Sequence, residues 1–165
     1  MEVLDKNSVL WGYLSENQRE LILDGEHLLT DAKLTQNVTE VSDYSYIVFP
    51  FAKAYEGFLK KLFLDLKLIK EDDYYGDDIR IGRILNPNYK SKNSVYNRLC
   101  RDKRASKDIA RRLWEIWRKG RNQVFHYYPH NFRKLDFDEA NLLIEEIVTS
   151  MNDSVTMCDI VDSIV

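Results

Sequence analysis

Between Asp43 and Ile69 the apolar residues Ile47, Phe51, Ala54, Phe58, Leu62 and Leu66 recur at spacings of three and four. That is the period of one face of an α-helix. Three further stretches share it. Leu21, Leu28 and Leu29 mark a helix over about Ser15–Asp31, where Ser15 and Gln18 form a capping-box pattern. Ile109, Leu113, Ile116, Trp117 and Val124 mark one over about Ser106–Phe125. Leu142, Leu143, Ile147 and Met151 mark the last, over about Asp136–Ser163, with Asp136 placed to cap Glu139. Six glycines and three prolines in 165 residues are too few for the turns of a sheet-rich fold. The expectation is an all-α, four-helix-like domain.

The remaining punctuation is local. Pro50 either begins the regular part of its helix or kinks the first turn. Lys70–Lys90 is polar and charged and reads mainly as a long loop, with a short strand or turn at IRIGRIL. Ser91–Asp102 suits a short helix. Pro129 pushes Tyr128 out of helical geometry, so the third long helix ends near His126. The chain has the length of one domain, 1–165, with a core that needs neither disulfide nor metal.

No apolar run approaches the roughly 20 residues of a membrane span, and no secretory signal opens the sequence. Cys100 and Cys158 fit no metal or redox spacing and read as reduced thiols, which points to the cytoplasm. The net charge of −3 hides a dipolar chain. Tyr89–Lys134 carries 14 basic residues against three acids, and the remainder carries 10 against 24. Such a segment suits a polyanion or an acidic partner, with Arg111, Arg112, Arg118 and Lys119 as candidate RNA contacts. A solvated helix face would look the same.

The basic segment ends in GRNQVFHYYPH, residues 120–130. Metal-independent RNA cleavage needs a base for the 2′-hydroxyl, charge stabilisation at phosphorus and an acid for the 5′-oxygen. A histidine such as His126 titrates near working pH, and an arginine such as Arg121 pairs its planar fork with phosphate oxygens. Asn122 and His126 are four apart, so the amide can hold the imidazole. Arg121 and His126 are five apart, about 140° around and ~7.5 Å along an ideal helix, and would flank a phosphate if the last turn unwound. Equally, a histidine in a last turn interacts well with free carbonyls and the helix dipole.

R121-N-Q-V-F-H126 resembles the R-x4-6-H signature of the HEPN superfamily, all-α domains that include many RNases and toxins. YEGFLKKLFLDL resembles that family's second pattern, a glutamate followed by paired basic residues; here these are Glu56, Lys60 and Lys61. The run from about Asp43 to Ser154 is similar to the HEPN toxin domain of RNase LS-type toxins, which carry further domains ahead of it. The resemblance implies a HEPN-like four-helix bundle with an additional short helix and a charged loop. It implies a metal- and cofactor-independent endoribonuclease leaving 2′,3′-cyclic phosphate ends, with Arg121 and His126 catalytic and Asn122, Glu56 and Lys60 supporting. It also implies a homodimer that brings two Arg/His pairs to one cleft, and an inhibitory antitoxin protein. In a branch paired with a minimal nucleotidyltransferase the signature extends to R-x4-H-x-Y, which makes Tyr128 a candidate modification site; packing beside Pro129 is the plainer role. A non-catalytic HEPN module for dimerisation or RNA binding is the alternative, and an adaptor docking an acidic protein is a third.

Other signals weigh less. His126 and His130 are interrupted by Pro129 and have no evident third metal ligand. YYGDD, residues 74–78, reads as an acidic loop. Trp11, Trp114 and Trp117 could stack on bases, though the latter two, at helical spacing, suit a core or dimer interface better, and His27 reads as structural.

Overall fold

A computed structural model describes residues 1–38, 40–99 and 107–157. These are all-α, with no strand among the described residues. In chain order the helices are α1 (Val9–Tyr13), α2 (Glu16–Thr35), α3 (Ser45–Asp65), α4 (Glu71–Tyr75), α5 (Ile81–Ile84), α6 (Val95–Leu99), α7 (Lys107–Trp117) and α8 (Phe137–Met157). A π-helical turn, Arg118–Gln123, prolongs α7, and a 3-10 turn, Pro129–Asn131, precedes α8.

The long helices begin where side chains satisfy free amides. Ser15 Oγ accepts from Gln18 N–H and Gln18 Oε1 accepts from Ser15 N–H, closing the expected capping box of α2. Asp136 and Glu139 do the same for α8, at 2.8 and 3.0 Å. Pro50 lies inside α3, one turn and a half from its start, where it withholds one N–H from the ladder. α3 closes in a Schellman motif: Leu68 N–H donates to Phe63 O and Lys67 N–H to Leu64 O. Lys67 takes the left-handed position, φ 58°, that glycine usually fills.

α3 is the central helix, packed by α2 and by α8, with α7 against α8. All six periodic residues of α3 are buried, together with Tyr55, Leu59 and Phe63. Tyr55 is wholly enclosed and donates its hydroxyl to Leu113 O on α7 at 3.0 Å. Two glycines allow close approach. A Cβ on Gly25 would lie 2.5 Å from Phe51 Cε2, and one on Gly120 would lie 2.9 Å from Ile147 Cδ1. α2 and the π turn can therefore reach their neighbours only without a side chain there.

Several expectations need correction. Leu28 and Leu142 are exposed, at 37% and 58%, while Leu21 and Val124 are half-buried. Leu142 and Leu143 lie ~100° apart on the helix, and Leu143 takes the core position. The segment 70–90 contains α4 and α5 rather than a strand or plain loop, and Ile81, Ile84 and Leu85 enter the core. α2 runs four residues beyond Asp31. The short α1, capped by Ser8 Oγ on Trp11 N–H, was not anticipated. The start of the third helix at Ser106, the end of the short helix at Asp102, residues 158–163 of the last helix, Cys100 and Cys158 lie outside the described residues. Among the described residues no helix is long and apolar enough to cross a membrane.

Candidate active site at the end of α7

The π turn inserts one residue relative to an α-helix, which rotates everything after it by ~100° about the axis. Gly120 sits on its inner side against Ile147 and Leu143 of α8. The next residues turn outward. Arg121 is half-buried and Asn122 exposed; Phe125 is half-buried and His126 exposed.

Two polar pairs result. Arg121 Nε faces Glu56 Oε2 of α3 at 3.6 Å, and its guanidinium lies 5.7 Å from the centre of the Trp117 ring. Asn122 Oδ1 lies 3.1 Å from His126 Nε2. The amide thus holds the imidazole as the four-residue spacing suggested. Arg121 and Glu56 line a cavity of about 310 Å3 with Phe49, Ala52, Lys53 and Phe125; His126 is not part of that lining. In a single chain, then, the pairs are neighbours on one helix end rather than walls of one pocket. Phe125 fixes this end by an edge-to-face contact with Phe49 of α3, centroids 5.5 Å apart.

Glu56 and Lys60 share α3 one turn apart, and Lys60 is half-buried. Lys61 is structural: it pairs with Asp65 at 2.9 Å and lies 4.2 Å from the centre of the Tyr13 ring. Tyr128 has the extended backbone, φ −96° and ψ 155°, that a residue before proline requires. Its ring meets Phe132, with the Arg133 guanidinium 4.2 Å from its centre, which is the packing role beside Pro129.

The candidate RNA contacts separate into two groups. Arg118 and Lys119 line a groove of about 560 Å3 with Arg133, Lys134 and the exposed Phe132 and Leu142. Lys119 also meets Glu146 at 3.4 Å. Arg111 and Arg112 lie further back on α7, paired with Asp108 and Asp153. Part of the basic segment is thereby neutralised within the chain. Trp117 is buried, Trp114 half-buried against the core, and Trp11 half-buried beneath Arg19. His27 is exposed beside a shallow cavity that also touches Asp24, Asp31 and Phe49.

The connection after His126 is held by a residue whose sequence context gave no sign of this role. Asp43 Oδ2 accepts from Asn131 Nδ2 at 2.9 Å, and Oδ1 accepts from Leu135 N–H at 3.3 Å and from Ser45 N–H at 2.9 Å. Burial raises the Asp43 pKa, but hydrogen bonds from Ser45, Asn131 and Leu135 outweigh it and hold the carboxyl below its ordinary range. His130 and Asn131 are both left-handed, φ 59° and 49°, so Asp43 ties down a strained turn.

Compared with protein-family models, curated proteins and solved structures, the chain matches none.

Proposed function

We propose that this chain is a metal-independent endoribonuclease of HEPN type, acting as a toxin or antiphage effector restrained by a protein partner. The observation that carries the reading is the meeting of Glu56 with Arg121, 65 residues apart, beside the Asn122–His126 pair. These are four of the five side chains the family resemblance nominates, carried by two neighbouring helices; the fifth, Lys60, lies one turn along α3 from Glu56. In the proposed reaction one histidine takes the 2′-hydroxyl proton and a second protonates the departing 5′-oxygen. Arg121 stabilises charge at phosphorus, leaving a 2′,3′-cyclic phosphate and a 5′-hydroxyl.

One chain offers one histidine to that site, so the reading requires two copies. Phe49, which lines the Arg121 cavity, is 52% exposed, and Tyr46, one turn earlier on α3, is 44% exposed, which gives a homodimer an apolar contact there. The groove with Arg118, Lys119, Arg133 and Lys134 supplies a phosphate-binding approach on the neighbouring side.

The test is cleavage of synthetic RNA in EDTA by the parent chain, Arg121→Ala and His126→Ala, with the product ends identified. Loss of cleavage by at least a hundredfold in each variant, with cyclic phosphate ends from the parent, is expected on general acid–base grounds (about 10²–10⁴). Equal cleavage by parent and variants would remove the reading. RNA binding or dimerisation without any cleavage would favour the non-catalytic module.

A further inference from the structure

We propose that the cleft enclosed by the end of α3, α4, α5 and α6 binds a phosphate ester of nucleotide size, at a site separate from Arg121 and His126. The cavity measures about 480 Å3, inside the roughly 300–1,000 Å3 range of small-molecule sites. Five basic residues line it: Lys67, Lys70, Arg80, Arg83 and Arg98. Two carboxylates, Asp73 and Asp78, oppose them. Among the described residues none of the five cations forms a salt bridge, whereas Arg111, Arg112, Lys119 and Arg121 all do. A concave surface with this surplus lowers the energy of an anion inside it.

The cleft is built rather than incidental. Arg98 donates to the carbonyls of Lys67 and Leu68, which locks α6 to the end of α3. Those carbonyls are presented by the Schellman turn, whose left-handed position holds lysine instead of glycine. That choice strains the backbone where a glycine would not, and places a lysine in the lining of the cleft. Arg83 lies over the Tyr89 ring, 5.0 Å from its centre, and the apolar Ile79 and Ile84 complete the wall. A guanidinium stacked on an aromatic ring, next to Ile79 and Ile84, puts charge beside flat apolar surface, which suits a phosphate attached to a ring-bearing group beyond a bare inorganic ion. The α5 helix that carries Arg83 also packs Gly82 on Trp117, where an added Cβ would meet the indole Nε1 at 2.7 Å. Trp117 fluorescence therefore reports a displacement of α5, while calorimetry reads occupancy itself, because Trp117 also lies beside Arg121.

The phosphate can come from a free nucleotide or from the phosphorylated end of an RNA strand. The proposal does not depend on the chain cleaving RNA. The experiment titrates the full chain at low salt with inorganic phosphate and with adenosine 5′-monophosphate, by calorimetry and tryptophan fluorescence. The nucleotide should bind more tightly than phosphate, and Arg80→Gln with Arg83→Gln should weaken it by about tenfold or more. Lys67→Gly should raise the melting temperature and yet weaken binding, a pairing that a merely structural lysine would not give. Competition by a 5′-phosphorylated oligoribonucleotide, but not by its 5′-hydroxyl form, on the His126→Ala chain assigns the site to RNA ends; no competition assigns it to free nucleotide. No binding of the nucleotide at millimolar concentration overturns the proposal. So does unchanged affinity in the folded double variant or in Lys67→Gly.

Discussion

Asp43→Ala should release the turn between His126 and α8 while leaving the helical core folded. Of the four hydrogen bonds at this carboxylate, the two from Ser45 are local and form within any such turn. The bonds from Asn131 and Leu135 reach across 88 and 92 residues and hold the distant segment. A hydrogen bond to a charged group contributes about 1.5–3 kcal/mol; at a half-exposed carboxylate, water competes and about 1 kcal/mol each is the better figure. Together that is about 2 kcal/mol, close to the strain of placing His130 and Asn131 in left-handed geometry at ~1 kcal/mol each. Without Asp43 the turn keeps its backbone bonds but loses the energy that offsets its strain. Hydrogen exchange at the Leu135 amide, and at the Tyr44 amide that donates to Leu135 O at 2.9 Å, should accelerate about thirtyfold. Exchange unchanged within a factor of two would refute the reasoning.

The same carboxylate gives a pH test with a definite sign. Its folded-state pKa is depressed, so the stabilisation is present above the unfolded value, ~3.9, and is lost as pH falls through the lower folded value. The stability difference between the parent and Asp43→Asn, measured by urea unfolding, should be full at neutral pH and vanish at strongly acidic pH. A difference that stayed constant on acidification would show that the charge plays no part, and one that grew would reverse the sign.

Gly25→Ala should destabilise the fold by about 1–2 kcal/mol in thermal or urea unfolding: a Cβ 2.5 Å from the fully buried Phe51 ring puts overpacking in the upper part of its usual range, about 2–3 kcal/mol, and the helix-propensity gain of alanine returns ~1. An unchanged or raised melting temperature would mean that α2 and α3 are not in this close contact. Glu56→Gln should change stability by less than about 1 kcal/mol, because its pair with Arg121 is loose and partly exposed. If Glu56 orients Arg121 for a phosphate, RNA cleavage should fall with the fold intact; cleavage at the parent rate would exclude that role.

What the sequence disclosed and what it concealed divide by range. The capping boxes of α2 and α8, the buried face of α3 and the Asn122–His126 contact depend on residues no more than four positions apart, or on a strict period. The exposure of Leu142 was only partly legible: neighbours on a helix lie ~100° apart, and although Leu143 and Ile144 both reach the core, Leu142 falls outside that arc. The hidden features are all settled by distant partners: Gly25 by Phe51, Phe125 by Phe49, and Asn131 by Asp43. The π turn belongs with them. RKGRNQ contains only Gly120 as a sign of departure from α-helix, and that glycine is explained by Ile147 and Leu143 of α8. Helix α5 escaped notice for a similar reason: IRIGRIL is short enough to suit a strand, and Gly82 acquires its purpose only against Trp117.

The consequence for the helix end lies in how firmly each cation is committed. Arg112 is hydrogen-bonded to Asp153, and Arg111 reaches Asp108 at 3.3 Å. Arg121 differs: at 3.6 Å from Glu56 it is beyond hydrogen-bond range, with 42% of its side chain exposed. Such a pair is worth no more than about 1 kcal/mol, enough to bias the guanidinium toward α3 but little to set against the two charge-assisted bonds a phosphate offers. Arg121 is thus oriented by Glu56 and Trp117 yet free to exchange its carboxylate for a phosphate at small cost. The π turn makes this possible, because Gly120 fills the inward position against α8 while Arg121, one residue on, turns outward and keeps 42% of its side chain exposed.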